Sequence, residues 1–358
     1  MNIDFHYGVV YVLCRLAGMP VPDARTVAHA CEYVDDATQG GLLFFEKGET
    51  FDRFASAHEM VDYQNADNDK NRAVWAPFHF LPGGEGDTIE QKAICRPDSV
   101  VAQAMIQHAI DARAQDNALH RLGVSLHVYV DTFAHQGFSG ITSPGNQVRE
   151  LAADDMDKHG WLAELADRAK HVVDDLGAFA LDRILPLGHG AALHYPDMPW
   201  VKWHYVDGYG NKVTRDNLAI FLDAAEMSMR AIRGHMAGQR DYLAQPGLSP
   251  EQRAALSLLL STIRDANPDN RLKALSVQLG QGVMPGLHEP LPEYSSKGPN
   301  SWKFIATGIA SPGDDSKERP VWTSVFEDSD YRKFHDAVKE HRFTVTQQIL
   351  PDHNVRLA

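Results

Sequence analysis

Apolar positions recur every three to four residues along most of the chain, and the strict alternation of a half-buried strand is scarce. The stretch "FHYGVVYVLCRLAG" has helical periodicity and stops at Gly18; "PDARTVAHACEYVDDATQGG" carries Pro22 near its first turn and ends at Gly40. "PDSVVAQAMIQHAIDARAQ" and "NALHRLGVSLHVYVDTFAHQG" form a consecutive helical pair, the second stopped by Gly137. Residues 147–176 and 215–243 read as two long amphipathic helices. "SPEQRAALSLLLSTIRD" opens with Ser249, Pro250 and Gln252, a capping box, and "DSDYRKFHDAVKEHRFTVTQQIL" is a last helix ended by Pro351. Stretches rich in Gly and Pro at 81–88, 137–146, 185–213 and 285–320 read as loops. The pattern predicts an all-α, multi-helix bundle over 1–280 and a loop-rich extension over 281–358, ending in a helix packed on the same domain. A structureless stretch as long as 285–320 is unusual in a compact domain, so it reads as a functional cover or a linker.

One helix carries ionisable groups where packing alone would place none. In "HVYVDTFAH", His127, Asp131 and His135 follow one another at intervals of four, so their side chains share a stripe about 80° wide. Their neighbours Val124, Leu126, Val128, Val130, Phe133 and Ala134 are apolar, which predicts burial. Unpaired buried charges cost several kcal/mol, to order of magnitude, so these groups need partners. His127 and His135 lie about 12 Å apart along the axis, too far to share one ion. Asp131, between them, can bridge two, the arrangement of two-metal hydrolytic sites. The plain alternative is a structural His–Asp pair four residues apart.

Residues of the same chemical type recur elsewhere: Asp4 and His6 in the first helix, Asp35 and Asp36 ending the second, His58 in "ASAHEMVDY", and His189, His194 and Asp197 in "LGHGAALHYPD". Asp4 has a second reading as a helix cap, and His58 as the partner of Asp62. Asp35 and Asp36 sit where the helix dipole disfavours acids, a small argument for a cationic partner. His79, between Phe78 and Phe80, reads as a core histidine.

Charge and cysteine content narrow the chemistry. There are 34 basic and 48 acidic residues, a net charge of −14, which opposes long nucleic acids and anionic membranes. Cys14, Cys31 and Cys95 show no CxxC spacing and read as buried, reduced thiols rather than a disulfide framework or a thiolate zinc site. Imidazoles and carboxylates without thiolates suit zinc, with iron or manganese as alternatives. "LPGGEGD" lacks the GK[ST] of a phosphate loop, and "GFSGI" lacks the closing glycine of a nucleophile elbow. No run reaches the about 20 apolar residues of a membrane span, and no secretory signal is evident. The expectation is a cytoplasmic protein, or one exported without a cleaved signal.

The order of an early histidine, an aspartate ending the next helix, a further histidine, then HxxxD and another histidine resembles the zinc-dependent phospholipase C and P1-type nuclease superfamily. That resemblance implies an all-helical domain holding three zinc ions that hydrolyse phosphate esters. It maps His6, Asp36, His58, His127, Asp131 and His135 onto the first six side-chain ligands. Asp4 then stands in for the N-terminal chelator, and His189, His194 and Asp197 replace the closing HxxxE, in preference to His171 with Asp175. The phrases "IDFHYG", "YVDDAT", "WAPFHFLPGG" and "HVYVDTFAHQGF" also resemble an uncharacterised family of bacterial and fungal proteins.

The leading expectation is a metal-dependent hydrolase of a small-molecule or lipid-like phosphoester, with two or three zinc ions and Asp36 as both ligand and proton acceptor. Two alternatives stand beside it: a non-haem iron enzyme activating oxygen on a helical His/carboxylate site, and a non-catalytic helical interaction or effector protein.

Overall fold

The computed structural model describes residues 1–57, 74–153, 192, 194–310 and 319–357. A π-helical turn, Asp4–Val9, runs into α1 (Val10–Leu16), and α2 (Val21–Asp36) follows. The hairpin of β1 (Gly41–Phe44) and β2 (Thr50–Arg53) comes next. Beyond it lie α3 (Ile89–Ala93), α4 (Val100–Asp111), capped by Ser99, and α5 (Ala118–Ala134). Strands β3 (Val148–Ala153), β4 (Lys202–Asp207) and β5 (Lys212–Asp216) form an antiparallel sheet in that order. Then come α6 (Asn217–Ala237), α7 (Pro250–Thr262), α8 (Pro268–Gly280), α9 (Trp302–Thr307), α10 (Ser324–Glu327) and α11 (Asp330–Thr344). The Ser249–Gln252 capping box opens α7 as its sequence predicts.

The axis of the molecule is α5, in which only Leu119 and Arg121 escape full burial. Helices α2, α4, α6 and α11 pack around it. The approach of α2 is closest at Gly123, where a Cβ would stand 2.4 Å from the Val27 carbonyl oxygen and 2.6 Å from the Ala30 Cβ. Only the absence of a side chain permits this crossing, and it brings the last turn of α2 beside the last turns of α5. Phe334 and Val338 of α11 join the same core as Val12, Val27 and Val130, so the C-terminal helix is part of one packed body.

The two sheets overturn the all-α expectation. In "VKWHYVD", Trp203 and Tyr205 are buried while Lys202 is exposed, the alternation of a one-sided strand, and Gly208 and Gly210 lie in the turn to β5. Gly, Pro and His around this stretch made it read as loop. Likewise 148–153 is strand rather than the start of a helix, and 154–176 lies outside the described residues. Trp203 and Tyr205 stack 5.1 Å apart and, with Phe80, Phe138 and Tyr195, form a second small core beneath the C-terminal end of α5.

The described part of 285–320 is tied to the first helices. Tyr11 donates to Glu289 Oε1 at 2.7 Å, Arg15 Nε to the same oxygen at 2.7 Å, and Tyr7 to the Pro292 carbonyl at 2.9 Å. Among the described residues no helix is long and apolar enough to cross a membrane.

Candidate metal centre

Four side chains from three segments converge at the end of α5. His79 Nδ1 and His127 Nε2 stand 3.3 Å apart. Asp131 Oδ2 lies 3.6 Å from the former and 3.5 Å from the latter, and Asp35 Oδ1 lies 3.6 Å and 3.7 Å from the same two nitrogens. Donors held 2.0–2.2 Å from a tetrahedral ion are separated by edges of about 3.3–3.6 Å. Four of these five separations fall in that range and the fifth, Asp35 to His127, exceeds it by 0.1 Å.

Each imidazole has already committed its other nitrogen. His127 Nδ1 donates to the Cys31 carbonyl at 2.8 Å and His79 Nε2 to the Ser56 carbonyl at 2.9 Å. With those N–H groups used, the two facing nitrogens have only lone pairs left to offer, and a proton or a metal cation can fill the space between them. His135 follows the same pattern: Nδ1 donates to the His79 carbonyl at 2.8 Å, the ring stacks on Phe80 at 4.7 Å, and Nε2 faces Asp197 Oδ1 at 3.9 Å.

The second oxygens of both carboxylates point elsewhere. Asp131 Oδ1 lies 3.3 Å and Asp35 Oδ2 3.9 Å from His6 Nε2, a fully buried nitrogen with no hydrogen-bond partner. His6 Nδ1 faces the Cys31 sulfur at 3.7 Å. The amino group of Met1 donates to Asp131 Oδ1 at 2.6 Å and lies 3.3 Å from Asp197 Oδ1. Asp131 and Asp35 are thus placed to bridge two cations.

The field here favours positive charge. Burial opposes protonation of His79, yet Asp131 and Asp35 hold its pKa above the usual value. Burial likewise opposes ionisation of Asp131, but His135, the Met1 amino group, His127 and His6 hold it well below the carboxylate range. The Met1 amine, against the cost of burial, is raised to about 11 by Asp131 and Asp197. His127 is driven well below its usual value by burial and by His6, so it stays a neutral donor. All three cysteines are buried and reduced, and burial pushes the Cys31 thiol well up.

A cavity of about 810 Å³ opens over this cluster, walled by Trp75, Phe80, Tyr294, Asp269 and Lys297. Glu32 lines it too; its Oε2 is buried without a hydrogen-bond partner, and burial together with Asp35 and Asp36 pushes its carboxyl well up.

The expected residues divide accordingly. His6, Asp35, His127 and Asp131 converge, with His135 and Asp197 adjoining, and His194 lines the cavity. Asp36 does not face the donors: neighbouring residues on a helix point about 100° apart, and Asp36 instead accepts a 2.5 Å hydrogen bond from Tyr294. Of the two expected carboxylates, Asp35 is the one beside the imidazoles of His79 and His127. Asp4 is neither a cap nor a chelator, because both its oxygens are taken by Arg271 at 2.8 and 2.9 Å. His58 and His189 lie outside the described residues. His79, read from sequence as a core histidine, is a central member. Its sequence signal was its place in "WAPFHFLPGG" as one more residue of ligand type, and the flanking Phe78 and Phe80 favoured a core role.

A family model matches residues 1–349. The chain belongs to DUF6765, a family of unknown function. No curated protein and no solved structure matches it. This agrees with the resemblance to an uncharacterised family and lends no support to the one with phospholipase C and P1 nuclease.

Proposed function

We propose that this member of DUF6765 is a metal-dependent hydrolase acting on a small-molecule or lipid-like phosphoester, with two zinc or similar divalent ions sharing Asp35 and Asp131. The observation that carries the reading is the set of near-tetrahedral spacings among Asp35, His79, His127 and Asp131, with both histidines fixed from behind by backbone carbonyls. The reaction class comes from the resemblance of the ligand order to the phosphoester-cleaving zinc superfamily.

His79 Nδ1, His127 Nε2, Asp35 Oδ1 and Asp131 Oδ2 would hold one ion; His6 Nε2 with the other oxygens of Asp35 and Asp131 would hold the next. Bound ions would lower the pKa of water and offset charge on the attacked and leaving oxygens. The chain's own part is placement. Asp35, which lines the cavity with its side chain 39 % exposed, is positioned to accept a proton from attacking water, while Asp131, fully buried, stays ionised as the fixed bridge. Trp75, Phe80 and Tyr294 give the apolar part of a substrate a wall, and Lys297 offers a cationic group at the rim. Without ions the acidic lining of Asp35, Asp36, Asp131 and Asp197 repels a phosphoester, so metal-free protein is expected to be inactive.

The test is hydrolysis of bis(p-nitrophenyl) phosphate and p-nitrophenyl phosphorylcholine by zinc-loaded protein, chelator-treated protein and the Asp131→Asn variant. Turnover by the loaded wild type alone supports the proposal. A loaded wild type no faster than Asp131→Asn on either ester removes the phosphoester reading.

A further inference from the structure

Outside the donor cluster, Arg271 of α8 is a buried charge, 1 % exposed, that is engaged on several sides. Its Nε and Nη2 form a two-point fork on Asp4, at 2.8 and 2.9 Å, and Nη2 also approaches the Asp197 carbonyl at 3.4 Å. Nη1 donates to the Asp265 carbonyl at 2.9 Å, and the guanidinium lies 5.6 Å from the centre of the Trp200 ring. One planar group therefore joins α8 to two separate segments that approach Asp131: the first turn, which carries His6, and the 195–197 turn, which carries Asp197.

Resting on the two-ion reading above, we infer that Arg271 is a positioning residue that sets the second ion position, the one at His6, without touching an ion. Asp4 and His6 share the π-helical turn Asp4–Val9. Clamping the Asp4 carboxylate at two points fixes the rotation of that turn and so the aim of the His6 ring at Asp131 Oδ1. The same turn is locked lengthwise at Gly8, where a Cβ would stand 2.8 Å from a Leu275 methyl of α8. Stability alone gives a poor reason for the pair, since a buried ion pair is often no better than a well-packed apolar substitute. What an apolar pair cannot supply is direction: a fork fixes angle as well as distance. The imidazoles of the His79–His127 position do not depend on the clamp, because they are fixed by the Ser56 and Cys31 carbonyls.

Titration of the metal-free full chain with Co²⁺, followed by visible absorption and calorimetry, tests this in wild type, Arg271→Lys, Arg271→Met and Asp4→Asn. Wild type is expected to show two classes of site. Arg271→Met and Asp4→Asn should weaken one class about 10- to 100-fold while the other moves less than about twofold, with Arg271→Lys in between. Arg271→Lys and Asp4→Asn nearly preserve volume, so they carry the test if Arg271→Met does not fold. Two unchanged classes in folded variants would overturn the inference, as would loss of both classes together. A wild type with no bound Co²⁺, or a single class, refutes the two-ion reading and this inference with it, a result distinguishable by the wild type alone.

Discussion

His127 Nε2 faces His79 Nδ1 across 3.3 Å, and each ring has spent its other nitrogen on a backbone carbonyl. Two lone pairs so opposed are stable only around a proton or a metal ion. Replacing His79 by Ala is therefore expected to lower the affinity of this position by at least about 10-fold, while circular dichroism stays unchanged. Equilibrium dialysis against zinc checks it; unaltered zinc affinity would show that His79 is not a ligand.

The crossing of α2 over α5 depends on Gly123. Gly123→Ala places a methyl group 2.4 Å from the Val27 carbonyl oxygen, and overpacking of this kind costs about 1–3 kcal/mol. Because the backbone of α2 must retreat, Asp35 should move away from His127 as well. Urea unfolding and zinc affinity are expected to fall together, and a variant as stable as wild type would contradict the packing argument.

Tyr294 joins the 285–310 segment to α2 through its hydrogen bond to Asp36. Loss of a hydrogen bond to a charged group costs about 1.5–3 kcal/mol, so Tyr294→Phe is expected to reduce stability by that order. Zinc stoichiometry should not change, since Asp36 lies outside the donor set. Reduced stoichiometry would return Asp36 to the ligands.

Acid should destabilise the metal-free protein well before its carboxylates titrate. Burial lowers His29 and His335 to about 3 and His235 and His341 to about 4. The unfolded chain takes up these protons near pH 6.5, so stability is full above that value and is lost as pH falls toward 4. Each such group contributes up to about 1.4 kcal/mol per pH unit across that window. Among the described residues His108 and His127 are lowered as well, and His79, with a raised pKa, opposes with one group against six. The midpoint of urea unfolding in chelator is expected to fall from pH 7 to pH 5, and a flat profile would contradict neutral burial of these histidines.

Much of this arrangement was legible from periodicity. The stripe of His127, Asp131 and His135 predicted a buried helix with a bridging aspartate, and α5 carries Asp131 with its two oxygens facing different groups. Three things were not legible. The choice between Asp35 and Asp36 turns on the rotation of one helix, and periodicity fixes that only to within a residue. Asp4 was assigned as a helix cap or as a stand-in for the superfamily's N-terminal chelator, whereas its partner, Arg271, is 267 residues away. The strand Lys202–Asp207 alternates over too few residues, among too many glycines and prolines, to outweigh the helical pattern around it.

The central claim, that Asp35, His79, His127 and Asp131 enclose a metal ion, is tested most directly by anomalous diffraction from crystals of zinc-loaded protein collected on both sides of the zinc edge. The account predicts a peak within bonding distance of His79 Nδ1 and His127 Nε2, with a second beside His6 Nε2. Zinc-soaked crystals with no peak between those two imidazoles would contradict it.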